Sequence, residues 1–235
     1  MFTNRNLNNL TLIGGIAALI NGFAYIVGIG LVFSYLSPIM DAETEEYVKF
    51  MVDHQTLMFV WHLLIYLVAG VSMVPLTLAL HERLKHGSPS LMLITTAFGL
   101  IWVATVISSG MIIVNDLGII ADLYGKDPEQ AVTVWLSLSA VEKGLGGVIE
   151  LPGGLWILLV SWAALQSGRL PKVLNVTGLV IGAAGVLTVV PALYNGGYVF
   201  GIGAIAWFIG VGIVLLHSHY SAASSKPSGI ASGID

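Results

Sequence analysis

The sequence predicts an all-α protein, a polytopic membrane helix bundle with six transmembrane helices. Hydrophobic residues make up 56% of the 235 residues and charged residues 9%, whereas an ordinary soluble domain carries about 25% charged residues. Six apolar stretches are each long enough to cross a hydrocarbon core of about 30 Å. Because a lone spanning segment must satisfy its own backbone hydrogen bonds, we expect each stretch to be a helix.

The predicted spans divide the chain into one membrane domain and a tail. They cover residues 10–36, 57–80, 91–114, 145–165, 173–193 and 199–217. Residues 1–220 are therefore expected to form a single transmembrane domain. The Ser- and Gly-rich residues 221–235 are expected to be a disordered C-terminal tail.

The distribution of lysine and arginine predicts the orientation of the chain. The first, third and fifth loops carry Lys49 and Lys126, with Lys143 next to the fourth span. Six basic residues lie at the termini and in the second and fourth loops: Arg5, Arg83, Lys85, Arg169, Lys172 and Lys226. Loops rich in basic residues remain in the cytoplasm. Both termini are therefore expected to be cytoplasmic, with the acidic first and third loops outside.

The first predicted span is rich in glycine, which indicates close helix packing. The loop after it predicts a short interfacial helix, with Asp41 as a candidate N-cap and an apolar stripe at Tyr47, Val48 and Met51. Pro75 interrupts the second span and Pro89 is well placed to begin the third.

The fourth predicted span is the least regular. Asp127 and Pro128 give a helix-start signal, but glycines and then the segment LPGG follow within the apolar run. This span is either one long helix with weak points or a broken helix. Polar groups freed at such breaks commonly line a cavity.

Glu150 is the most informative polar residue, because it interrupts this apolar run. A charge at membrane depth costs a few kcal/mol and is usually retained for a ligand, a pathway or a partner charge. His62 lies 18 residues before Leu80, and Glu150 lies 15 before Leu165. At 1.5 Å per residue their heights differ by about 5 Å. If the second and fourth spans are neighbours, the two side chains are expected to meet.

A second polar group is expected nearer the outer surface, where five ionisable residues occur: Asp53, His54, Asp116, Glu142 and Lys143. The candidates for ligand binding or proton coupling are Glu150, His62, Glu142, Lys143, Asp116 and His54. A purely structural alternative is a salt bridge from Glu142 or Asp116 to Lys143, since charges are common at span ends.

The sequence favours no metal site and no cofactor. His54 and His62 would lie about 80° apart around a helix, and no paired helical ligand pattern occurs. The absence of cysteine excludes thiolate ligands. The sequence contains no phosphate loop or nucleotide fingerprint, and no nucleic-acid partner is expected.

Two segments resemble a known family. The Gly-rich first span ends in Leu36, Ser37 and Pro38, and the fourth loop leads into the segment SGRLPKVLNVTGLVIGAAGVL. In these features the chain resembles small bacterial integral membrane proteins classified as a domain of unknown function. The resemblance implies about six spans and a location in the bacterial inner membrane.

The favoured function is a multi-pass inner-membrane protein with an outward-facing polar site in the outer half of the second and fourth spans. That site would be proton-linked or bind a small cation, an amine or a lipid-like molecule, with Glu150 and His62 at its floor. One alternative is an intramembrane enzyme acting on a lipid-like substrate. The other is an accessory subunit that contacts a membrane-protein partner or a second copy of itself. A cavity reaching Glu150 would favour ligand binding or catalysis.

Overall fold

The computed structural model describes residues 4–147 and 149–224, and within them the chain forms helices and no strand. The predicted all-α class is confirmed. The α-helices in this part of the chain are α1 (Asn4–Leu31), α2 (Thr44–Asp53), α3 (Gln55–His62), α4 (Ala69–Leu84), α5 (Pro89–Tyr124), α6 (Pro128–Glu142), α7 (Leu151–Ser167), α8 (Lys172–Leu187) and α9 (Gly196–Ser224). Three π-helical segments extend them: Val32–Leu36, Leu63–Val68 and Lys143–Gly147. The predicted disordered tail lies almost wholly outside the described residues.

The chain is a membrane protein by the length and composition of its helices. Four helical stretches are long and apolar enough to cross a bilayer: Asn8–Ile39, Gln55–Leu84, Pro89–Tyr124 and Gly196–Ser221. They correspond to the first, second, third and sixth predicted spans. The fourth and fifth predicted spans correspond to the shorter helices α7 and α8, which have 17 and 16 residues. At 1.5 Å per residue these apolar helices are about 25 Å long, slightly short of a hydrocarbon core.

Six apolar helices form a closed ring that follows the order of the chain. Each of α1, α4, α5, α7, α8 and α9 packs against the next, and α9 returns to pack against α1. The additional helix α6 packs against α5, and α2 contacts both. The ring has a terminal end, where α1 begins and α9 ends, and an opposite end that we call the distal end.

Glycine brings α7 and α8 into backbone contact. A Cβ atom on Gly154 would lie 2.5 Å from the amide nitrogen of Val186 and 2.8 Å from the carbonyl oxygen of Gly182. Side chains larger than hydrogen do not fit at this crossing. Small residues allow such close approach between membrane helices, where packing is the main attraction.

Aromatic side chains fill the middle of the ring. Four buried aromatic residues pack against one another there, with ring centroids 5.6–6.4 Å apart: Trp102 of α5, Trp156 of α7, and Trp207 and Phe208 of α9. These spacings are typical of favourable aromatic pairs. We call these four residues the aromatic plug.

Polar contacts join the helices at the terminal end. The Arg83 guanidinium donates from two nitrogens to the carbonyl oxygen of Arg169, at 3.2 and 3.0 Å, and also to Ser218 Oγ at 3.0 Å. One side chain thereby joins α4, the α7–α8 loop and α9. Asn8 and His219 make a similar contact between α1 and α9 at 2.9 Å.

The structure corrects the predicted start of α2 and shows that the fourth apolar stretch is broken. The helix predicted in the first loop exists as α2, but its N-cap is Glu43 and not Asp41, because Ile39–Ala42 is closed as a turn by its own backbone hydrogen bond. Asp127 does cap α6, accepting from the amide of Gln130 at 3.0 Å. The irregular fourth stretch is broken, since Ile149 and Glu150 are non-helical before α7 begins.

Candidate functional site

A cavity of about 340 Å³ lies at the distal end, between α2, α3, α5 and α6. We call it the distal cavity. Its walls combine aromatic rings with ionisable groups, and the residues concerned are Tyr47, Trp61, Tyr66, Trp135, His62, Asp116, Glu142 and Lys143. The exposed Met40 is also part of its wall, so the cavity extends to the protein surface.

Tyr66 is held in this cavity by local features of two helices. It lies in the π-helical segment Leu63–Val68, and such segments are frequent at functional sites because they change the direction of side chains. A Cβ on Gly110 of α5 would lie only 2.5 Å from the Cβ of Tyr66. The glycine therefore makes room for the tyrosine, whose hydroxyl donates a hydrogen bond to Glu142 Oε1 at 2.6 Å.

Glu142 is the electrostatic centre of the distal cavity. It is 8% exposed and ends α6, outside the four long apolar helices. Burial raises the pKa of its carboxyl, while the hydrogen bond from Tyr66 and the charge of Lys143 act in the opposite direction. Burial and the nearby Glu142 charge also raise the pKa of Tyr47 to about 12.

Lys143 does not form the salt bridge considered above. In the described part of the chain the ion pair within 4.0 Å is Glu82–Lys85, at 2.6 Å. The Lys143 ammonium instead lies 5.9 Å from the centroid of the Trp135 ring. Lys143 follows Glu142 directly, and neighbours in a helix do not face each other. The cavity thus already contains a cation–π contact.

His62 and Asp116 complete the polar wall. The Nδ1 atom of His62 lies 2.7 Å from the carbonyl oxygen of Met58. Because a carbonyl oxygen only accepts, the proton of a neutral His62 is on Nδ1 and its Nε2 is an acceptor. Asp116 is buried and accepts from Asn115 Nδ2 at 3.2 Å.

A second cavity, of about 190 Å³, lies inside the helix ring, and we call it the ring cavity. Its polar lining comes from Glu150, Tyr25 and Tyr66. Glu150 reaches it because the chain is not helical at this residue. Thr188 stabilises the break: its hydroxyl accepts from the Glu150 amide at 2.9 Å and donates to the Gly185 carbonyl at 2.7 Å.

The structure brings four of the six predicted site residues together. His62, Asp116, Glu142 and Lys143 all line the distal cavity, whereas Glu150 lines the ring cavity. Tyr66 belongs to both linings, so its side chain separates them.

Two of the expected arrangements are absent from the described residues. His62 and Glu150 share no hydrogen bond or ion pair there, and His62 instead contacts Met58. His54 is exposed and stacks on Phe50 with centroids 4.0 Å apart, outside both cavities. No group of three or more His, Cys, Asp or Glu side chains suited to a metal ion lies in the part of the chain that the structure describes.

The aromatic walls of the site were missed from sequence. Tyr66 follows His62 by four residues, which places both on one helical face, and that spacing is a signal that could have identified it. The sequence places Tyr47 in an apolar stripe, yet its ring lies 5.0 Å from that of Trp135 in the cavity wall. No spacing in the sequence relates these two residues, because they belong to helices separated by two spans.

Comparison with known proteins gives a family but no activity. The family model described as Domain of unknown function (DUF4386) matches residues 10–218, which is most of the chain. This match confirms the resemblance to a family of unknown function noted from the sequence. No curated protein and no solved structure matches the chain significantly.

Proposed function

We propose that this chain, which belongs to the family described as Domain of unknown function (DUF4386), binds a small organic cation in the distal cavity. The observation that carries the proposal is the combination of two buried carboxyl groups, Asp116 and Glu142, with four aromatic rings around one cavity. Aromatic rings attract organic ammonium groups by the negative charge of their faces, and a carboxylate adds a direct ion pair. A volume of about 340 Å³ is within the range of small-molecule sites.

Lys143 supports a cationic ligand rather than an anionic one. Its ammonium lies over the Trp135 ring, so this wall of the cavity already accepts a positive charge. An incoming ammonium would displace Lys143 or lie beside it, close to Glu142.

Binding in this site is linked to protons. A cation binds best to the ionised Glu142, and burial raises the pKa of this carboxyl. Proton and ligand therefore compete for one group. The geometry thus supports proton coupling through Glu142, and not Glu150, as the carboxylate that pairs with the cation.

The proposed membrane arrangement has six spans, with α7 and α8 as short spans and both termini in the cytoplasm of a bacterial inner membrane. The basic residues Arg83, Lys85, Arg169 and Lys172 lie around the helix ends of the terminal end, which supports this orientation. The distal cavity would then open outward. Reporter fusions to the C-terminus and to the first loop test the topology, and an external C-terminus would contradict it.

The cavities also favour ligand binding over an accessory role. Glu150 lines a cavity instead of projecting to lipid as an unpaired charge. An accessory subunit would be expected to use such a charge at an interface with its partner. The enzyme alternative shares the same cavities, and a test of ligand binding therefore comes first.

The direct test is calorimetric titration of the detergent-solubilised protein with tetramethylammonium. Glu142→Gln and Asp116→Asn are each expected to weaken binding by about tenfold or more, since they remove a charge facing the ligand. Glu129→Gln, on the exposed first turn of the same α6 helix, is the matched control and should bind like the parent. Equal affinity in all four proteins, or none in the parent, would contradict the proposal.

A fourth variant tests whether Lys143 competes with the ligand. Lys143→Gln removes the positive charge that occupies the Trp135 face. It should strengthen tetramethylammonium binding, because a competing cation is lost. Weaker binding of tetramethylammonium in this variant would show that Lys143 does not compete for the site.

A further inference from the structure

The ring cavity is separate from the proposed cation site and has its own set of polar groups. It lies within the helix ring, and the aromatic plug forms part of its wall through Trp102 and Phe208. Its polar groups are the carboxyl of Glu150 and the phenols of Tyr25 and Tyr66. The three groups belong to different helices or loops and line one small cavity together.

Two of these groups have no hydrogen-bond partner among the described residues. The Tyr66 hydroxyl is bonded to Glu142 in the distal cavity. Within residues 4–147 and 149–224, however, neither the Glu150 carboxyl nor the Tyr25 hydroxyl makes a hydrogen bond. Both residues are half-buried, so their polar atoms are open to water or to a ligand in the cavity. The Glu150 main chain is fully used, since its N–H donates to Thr188 and its carbonyl accepts from Gly154.

The ring cavity reaches the outside of the bundle at Gly201. This residue of α9 lines the cavity, is exposed, and has no atom within 4 Å of the position where its Cβ would be. Tyr25 of α1 and Gly201 of α9 both line the cavity, which therefore lies beside the contact between these two helices.

The opening faces the region where lipid chains lie. Gly201 belongs to the apolar stretch Gly196–Ser221, and its neighbour Ile202 is 66% exposed. A molecule in the bilayer therefore has a route to Glu150 that does not pass through the distal cavity.

We propose that the ring cavity is a second binding site, entered from the bilayer at Gly201, for a single-chain amphiphile with a protonated amine head. The ammonium pairs with the Glu150 carboxylate and donates to the Tyr25 oxygen. Trp102, Phe200 and Phe208 surround its first methylene groups. A volume of about 190 Å³ is slightly larger than the ~150 Å³ cavity that holds benzene in another protein. It therefore accepts the head and a few methylenes, and the remaining chain leaves through the opening.

Photoaffinity labelling tests this site. The probe is a long-chain primary amine with a diazirine near its head, presented to the protein in phosphatidylcholine vesicles. Cross-links mapped by mass spectrometry are expected on Tyr25 and on residues 200–204. Glu150→Gln should lower this labelling by about tenfold or more, since it removes the charge that pairs with the ammonium.

Gly201→Leu tests the lateral route. No atom approaches the Gly201 Cβ position, so the variant should fold, and its side chain should block the opening and abolish the labelling. Gly118→Leu is the matched control, because Gly118 on α5 is also exposed with an unobstructed Cβ position. A neutral probe, the corresponding long-chain alcohol, should label weakly in every variant.

Two results would overturn the proposal. One is equal labelling by amine and alcohol, which would mean that Glu150 does not select the head. The other is unchanged labelling in Glu150→Gln and Gly201→Leu. Thermal unfolding in detergent verifies that the same variants are folded. Glu142→Gln separates the two sites, since it should weaken tetramethylammonium binding and leave long-chain amine labelling unchanged.

Discussion

The hydrogen bond from Tyr66 to Glu142 gives the sharpest quantitative prediction. Tyr66→Phe removes the donor of a 2.6 Å bond and leaves the ring in place. Hydrogen bonds to charged groups contribute about 1.5–3 kcal/mol, whereas hydrogen bonds inside membrane proteins average about 0.6 and reach about 1.7 kcal/mol. The two ranges meet near ~1.5 kcal/mol, which is the coupling energy expected when Glu142 is ionised. When Glu142 is protonated the coupling should fall towards ~0.6 kcal/mol.

A double-mutant cycle measures this coupling. The free energy of unfolding is determined for the parent, Tyr66→Phe, Glu142→Leu and the double variant, in mixed micelles with rising fractions of sodium dodecyl sulfate. The same cycle with Tyr25→Phe is the control, because the Tyr25 hydroxyl makes no hydrogen bond within the described residues. Its coupling to Glu142 should stay below about 0.5 kcal/mol. Similar couplings for both tyrosines, or a Tyr66 coupling that does not increase with pH, would refute the assignment.

Three further outcomes are expected. Tetramethylammonium binding should weaken as pH falls, because protonation removes the Glu142 charge. Since burial raises the pKa of this carboxyl, affinity should begin to fall at a pH above the usual glutamate pKa of about 4.3. Titrations across pH measure this. Gly154→Ala should destabilise the protein by roughly 1–3 kcal/mol through overpacking, as thermal unfolding in detergent would show. The control is Gly118→Ala, whose Cβ position is unobstructed and which should be neutral or slightly stabilising. Thr188→Val should lower the free energy of unfolding by about 1–3 kcal/mol and speed hydrogen exchange at the Glu150 amide, which loses its acceptor. Unchanged exchange would show that Thr188 does not stabilise the non-helical residues before α7.

The fold class and most helix positions could be predicted from the sequence because hydropathy alone determines them. The four long spans follow apolar stretches, and Asp127 caps α6 by a local rule. The break before α7 could only be suspected, since it depends on Thr188, which lies 38 residues later. Local patterns do not show which distant hydroxyl will satisfy a freed amide.

The candidate site was predictable in part for a similar reason. Depth along the helices placed His62 and Glu150 at similar heights, but height does not determine which side of a helix faces which cavity. The π-helical segment Leu63–Val68 changes the helical phase within the second span, and Tyr66 lies there between the two cavities. The position of such a segment is not encoded in hydrophobic periodicity.

The most direct test of the account is to locate a bound cation. Crystals grown with tetramethylarsonium, an isosteric cation whose arsenic scatters anomalously, would show its position. We predict a peak in the distal cavity, beside the Glu142 carboxylate and within about 6 Å of an aromatic ring centroid. The peak should be absent from crystals of Glu142→Gln. A peak elsewhere on the protein, or no peak at saturating concentration, would contradict the assignment of the distal cavity as the cation site.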